Sequence, residues 1–325
     1  MRRRLLLASP ALLAAGPLAA QPARPAGWPD RAIRLVVPFA PGGPSDIVAR
    51  SLAPTLSGAL GQPVVVDNRA GGGGVVGTDV VAKAQPDGYT IGLCSAGALA
   101  ISPTLLPTIP YDTLRDLAPV TMGVRVAEIL AVSPSLPVQD LAGLIALAKQ
   151  QPGKLNYGTS GNGSMPHLAM EALRAAAGID VVHVPYRSGG QIVTAMLSGE
   201  TQLGWADLPI LMPQLSAGAL RPIVIGTERR SALFPNVPTT AEAGLPQVRA
   251  DNWHGFVAPA RTPPALVSAL RDVIAAALRS GSVSKVLQDQ GAEPGGDGPE
   301  EFGTFVRSEI SRWGEVVRKA NVKPD

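Results

Sequence analysis

IRLVV-PFAPGGPS-DIVARSLAPTL, residues 33–56, and KLNYG-TSGNGS-MPHLAMEALRAAAG, residues 154–178, are built to one plan. Each runs from a short apolar strand through a Gly/Ser-rich loop into a helix whose apolar residues recur three and four apart. The first N–H groups of a helix have no acceptor inside it, and its dipole favours negative charge there. Each loop is therefore expected to present backbone donors to an anion without needing a charged side chain. Two such units, well separated along the chain, predict two half-sites that close on one small anion.

Outward from these units, strands and helices alternate from about residue 31. VVVD (64–67) leads into RAGGGGVVG and a helix reaching about Ala84, and YTIGLC (89–94) is the next strand. Residues 101–120 are Pro-rich and read as irregular. EILAVSP (128–134) is a strand, DLAGLIALAKQQPG (140–153) a helix with a Pro-Gly stop, and VVHV (181–184), TQLGW (201–205) and RPIVIG (221–226) are further strands. Two late helices are expected over 264–280 and 299–320. Alternation of this kind predicts an α/β fold of parallel sheets covered by helices, with ligand beyond the carboxyl ends of strands.

A chain of 325 residues exceeds one comfortable core, so two domains are expected. With 46% hydrophobic but only 4% aromatic residues, the core must be Ala, Val and Leu. Residues 1–20 read as an export leader: Arg2, Arg3 and Arg4, an apolar stretch, and Ala19-Ala20 before Gln21. The arginine run leaves both the Sec and twin-arginine routes open. Without the leader's three Arg, the 28 basic residues fall to 25, level with the 25 acidic ones. The mature chain is near neutral, with no basic stripe for nucleic acid. Cys94 is the single cysteine, which excludes a disulfide framework and a thiolate metal cluster; in a strand it reads as a small buried hydrophobe.

Gly72, Gly74 and Gly77 match G-x-G-x-x-G, but they follow the second strand and lack the acid about 20 residues on, so a dinucleotide site is not expected. GTSG (158–161) misses the spacing of a hydrolase nucleophile elbow. His167 and Glu171 share a helix face without a third metal ligand, so His167 is read as structural or ligand-contacting. Ser45, Ser160 and Ser164 stand where an N-cap or a loop donor is expected. Asp46 is read as an acceptor that fixes the loop, or as a partner for a ligand amine or hydroxyl. Asp207, closing TQLGWAD, has the same two options.

Several stretches together resemble the periplasmic solute-binding receptors of tripartite tricarboxylate transporters, the TctC/Bug family. They are PFAPGGPSDIVAR, VVVDNRAGGGGVVGTDVVAKAQPDGYTI, LPVQDLAGLIALAKQQPGKLNYGTSGNGSMPH, ADLPILMPQLSAGALRPIVIGTERRSALFPNVPTTAEAGLP and WHGFVAPARTPPALV. The resemblance implies a two-lobed periplasmic-binding-protein-like fold, each lobe a sheet covered by helices, with ligand in the cleft between lobes. It implies lobes over 28–125 plus 250–325 and over 126–249, a small carboxylate ligand, no cofactor, no metal and no enzymatic activity. A monomer is expected, partnered by the large and small membrane subunits of a transporter. On matching positions the ligand residues are Phe39, Gly42, Gly43, Ser45 and Asp46 in the first loop. Thr159, Ser160, Gly161, Asn162, Gly163, Ser164 and His167 follow in the second, with Tyr186 and Asp207. The segment Arg187–Gln191, Trp205 and the CSAGALAIS loop depart from the family pattern and bear on ligand identity.

Overall fold

The computed structural model describes residues 25–186, 188–289 and 291–324. The leader expected over 1–20 and Arg187 of the divergent segment lie outside them. Ten strands form one continuous, curled sheet: β1 (Ile33–Val37), β2 (Val64–Asn68), β3 (Thr90–Ser95), β4 (Leu117–Val132), β5 (Asn156–Thr159), β6 (Val182–Pro185), β7 (Leu203–Asp207), β8 (Arg221–Ile225), β9 (Asp251–Pro259) and β10 (Ala292–Pro294). Their order is β2-β1-β3-β9-β4-β7-β5-β6, with β8 and β10 also on β4.

β1 is parallel to β2 and β3, and β5 is parallel to β6 and β7, as the alternation predicts. The correction is at the centre, where β4 pairs antiparallel with β7, β8, β9 and β10. Strands that carry the chain out of one half and back again must run in opposite directions. β4 spans both halves, and the expected irregular stretch 101–120 contains its start. Ahead of it come a π turn (Gly97–Ile101) and short helices at Ser102–Leu105 and Thr113–Asp116. Register shifts at Pro119/Thr121 and Met122/Val124 break the alternation by which a strand is read from sequence. A helix over Gly281–Asp289 and β10 follow the first of the two expected late helices, Pro264–Leu278. The last, Pro299–Lys319, closes the chain.

The two units that open the chain's logic form as read. β1 is nearly all buried, and the helix Pro44–Leu60 turns Val48, Ala49, Leu52, Leu56 and Leu60 inward. It begins at Pro44, whose missing N–H costs nothing at the first helical position. It ends at left-handed Gly61, whose N–H donates to Ser57 O. The helix Met165–Ala177 starts after Ser164 and ends at Gly178 in the same manner.

One core joins Ile33, Leu35, Leu52, Leu93, Phe256 and Leu270; another joins Leu130, Leu144, Tyr157, Leu173, Trp205 and Val248. Met165 and Leu168, from the second unit, join a further cluster with Leu99, Ile101 and Trp313 of the other side, so the halves touch. They are stitched again where the chain passes back. Gly226 N–H donates to Glu128 O at 2.9 Å, and Ala250 N–H donates to Gly226 O at 3.0 Å. A Cβ at Gly226 would lie 2.3 Å from Ala250 O, so only glycine permits this approach.

Candidate functional site

A cleft of about 940 Å³ opens between the two loop-helix units. One wall is Phe39–Ser45 with Gly72 and Gly73; the facing wall is Ser160–Pro166. Among the orphan donors of the first helix are the amides of Ser45 and Asp46, because intrahelical bonding starts with Ile47 N–H to Gly43 O. On the facing helix the amide of Met165 has the same status, since bonding starts with Leu168 N–H to Ser164 O. Pro44 and Pro166 carry no N–H. The two helix N-termini therefore face each other across the cleft.

Not every loop amide is available. Gly42 N–H donates to Asp46 Oδ2 at 2.9 Å, and Gly163 N–H donates to His167 Nδ1 at 3.0 Å. These glycines shape the loops. Asp46 is the loop-fixing acceptor of its two options. Oδ2 also accepts from Arg50 Nε at 2.8 Å, and Oδ1 accepts from Asn68 Nδ2 at 2.9 Å. The Arg50 guanidinium, above all, holds its carboxyl down to about 2 against the opposing effect of burial. Asn68 also donates to Phe39 O at 3.0 Å, which fixes the first strand's exit.

His167 lies behind the second loop, 7% exposed and stacked on His183 at 4.0 Å, and is not part of the cleft wall. Thr159 is behind it too, with Oγ1 2.6 Å from His183 Nε2. The Tyr186 hydroxyl points away and donates to Glu200 at 2.9 Å. Ser45 lines the cleft but is not a cap: Gly43 holds that position. Ser164 holds the cap position on its own helix. Its hydroxyl instead donates to Gly161 O at 2.7 Å, tightening the loop.

Sequence reasoning named Asp207 but missed the rest of the floor. Residues directly opposite in an antiparallel pair share a face, as do residues two apart on a strand. Ser95 opposes His254, Val126 opposes Asn252, and Glu128 opposes Asp207. Ser95, His254, Asn252, Glu128 and Asp207 thus form a polar row across β3, β9, β4 and β7, and all five line the cleft. Burial pushes the Glu128 carboxyl well above its usual range, and the Asp207 charge adds to this. Burial also raises Asp207, opposed by a hydrogen bond from Asn252 Nδ2 to Oδ1 at 3.2 Å. Burial alone lowers the His254 imidazole to about 4. The available signal was an acid opening the apolar strand EILAV. In a sequence it is indistinguishable from a solvated strand end.

Among the described residues no helix is long and apolar enough to cross a membrane, and no cluster of three His, Cys, Asp or Glu side chains is placed to hold a metal. Cys94 is buried in β3, and its thiol is raised to about 12 by burial, as expected of an inert packing residue.

The comparisons agree with this architecture. Residues 48–322 match the model of the tripartite tricarboxylate transporter family receptor, TctC. The protein BugT of Bordetella pertussis is 40% identical over 297 residues, 91% of each chain. The structure of Rpa4515 of R. palustris with adipate superposes with a TM-score of 0.81 at 38% identity, covering 92% of this chain and all of that one. MatC from Rhodopseudomonas palustris with bound malate superposes at 0.77 and 31% identity, covering 89% of this chain and all of the other. Family members are periplasmic binding receptors rather than enzymes. With matched residues running through both loop-helix units, the sheet floor and the closing helix, this chain belongs to the TctC/Bug family of periplasmic solute-binding receptors.

Proposed function

We propose that this protein captures a small carboxylate in the periplasm and delivers it to the large and small membrane subunits of a tripartite tricarboxylate-type transporter. The observation that carries the reading is the pair of helix N-termini facing each other across one cleft, with amides at Ser45, Asp46 and Met165 ahead of the first intrahelical bonds. A carboxylate between them accepts from both sides at once. Bridging waters extend the grip at little cost. Relatives of known structure hold adipate and malate. The leader over 1–20 exports the chain. Lobes of 28–125 plus 250–325 and of 126–249 close as a monomer around ligand, hinging where β4 and the strand return cross.

A melting-temperature screen of the mature protein tests this. Ligand at about 100 times its Kd adds roughly 2.7 kcal/mol, a rise of several degrees for a chain of this size. A rise confined to carboxylates, with the compound recovered unchanged, supports capture. A rise only with sugars or nucleotides, or conversion of the compound, overturns it. Ligand-dependent co-purification with the two membrane subunits tests delivery.

A further inference from the structure

We propose that Glu128 and Asp207 form the cation-binding end of the cleft, so that the ligand carries an ammonium or similar cationic nitrogen as well as its carboxylate. This rests on the carboxylate reading above and adds the other end of the molecule.

Glu128 is fully buried yet lines the cleft, and neither of its carboxyl oxygens has a hydrogen-bond partner among the described residues. A buried carboxyl without a partner is a costly feature in a strand that otherwise reads Ile, Leu, Ala and Val. Asp207 faces it directly across the β4–β7 pair, close enough that a protonated Glu128 favours the ionised Asp207, though no well-formed hydrogen bond links the two. Asp207 lines the cleft and gives Oδ1 to Asn252, which leaves Oδ2 as its second acceptor.

A bound cation restores the charge of Glu128, whose proton leaves to solvent, and the remaining acceptors are then Oε1 and Oε2 of Glu128 and Oδ2 of Asp207. An ammonium has three donors and no acceptor, which matches them one for one. A second ligand carboxylate would instead bring like charge against the ionised Asp207, and a hydroxyl would satisfy only one oxygen. No Lys or Arg among the described residues pairs with either acid. Asp251, the other acid near Glu128, is answered by Arg125 at 2.9 Å, and His254 on the neighbouring strand is neutral.

The test is calorimetric titration of the mature chain with matched probes: β-alanine, 4-aminobutyrate and 5-aminovalerate, against propionate, butyrate and valerate, and against succinate, glutarate and adipate. The expected result is that at least one amino acid binds about tenfold or more tighter than its amine-free and its dicarboxylate counterparts. The preference should then shrink by about tenfold or more in Glu128→Gln, because a charge-assisted bond is lost. Asp207→Asn gives an independent reading should the first variant misfold. Acids binding with no preference for the amine, or a preference unchanged in both variants, overturns the inference and leaves the receptor reading standing. Failure of every acid to bind overturns both.

Discussion

Gly163 offers a direct measure of how tightly the two lobes must meet. It belongs to the second loop, and its φ is +70°. A Cβ there would lie 1.9 Å from Leu105 Cδ2, at the end of the helix Ser102–Leu105. Gly163→Ala thus carries two separable penalties. The left-handed backbone costs about 1–2 kcal/mol for any L-residue, whether the cleft is open or closed. The steric clash exists only when the lobes meet. Leu105 must retreat well over an ångström, an overpacking cost of about 1–3 kcal/mol. The first penalty lowers the ligand-free melting temperature by a few degrees. The second weakens ligand binding by roughly 5- to 150-fold, because binding draws on the closed form. Calorimetric Kd values for wild type, Gly163→Ala, Leu105→Ala and the double variant separate them. Shortening Leu105 should restore most of the lost affinity to Gly163→Ala while leaving its lowered melting temperature in place. An unchanged Kd in Gly163→Ala, or a double variant as weak as the single one, would refute closure across this contact.

Other expectations follow from named contacts. Gly43 has φ −78°, and an added Cβ would meet only Ala40 O, at 3.6 Å. Gly43→Leu should therefore fold, at a small cost in stability at the cap, and lose binding; a retained Kd would remove the first loop from the site. Asp46→Asn should cost about 1.5–3 kcal/mol in chemical denaturation, by loss of its charge-assisted bonds. Its folded pKa of about 2 lies below the unfolded 3.8, so its contribution is full above pH 3.8 and is lost as pH falls through 2. The variant should flatten that acid limb, and an identical limb would count against the assignment. His254 should titrate near 4 by NMR. With an unfolded value near 6.5, its contribution is full above that pH and lost as pH falls toward 4. Glu128, raised above 4.5, acts in the opposite sense. A ring titrating near 6.5 would mean that the floor is wet. Gly226→Ala, whose Cβ would press on Ala250 backbone, should lower the melting temperature whether ligand is present or not.

The paired strand-loop-helix units were legible because their signals are local. Apolar residues spaced three and four apart, Pro44 and Pro166 at helix starts and Gly61 and Gly178 at helix ends act within a turn or two of chain. They specify the elements, the positions of the loops and the orphan amides. Similarity of whole stretches to a receptor family then pointed to two lobes. Individual side-chain roles were less legible. Asp46 and His167 stand in the first turns of the two helices, yet each turns back to hold a glycine amide of its loop, and nothing in residue order tells such an acceptor from one facing the cleft.

Residue order specified the α/β alternation and the two strand-loop-helix units, since helix-terminal chemistry depends on neighbours a few residues away. Of the floor, residue order singled out Asp207 alone, and its partners were assembled by the fold. Ser95, Glu128, Asp207, Asn252 and His254 come from four strands scattered over much of the chain. Their alignment depends on the register of antiparallel pairs centred on β4, where a slip of one residue would turn each side chain to the opposite face. Register is a property of the assembled sheet, and so is the unpartnered carboxyl of Glu128.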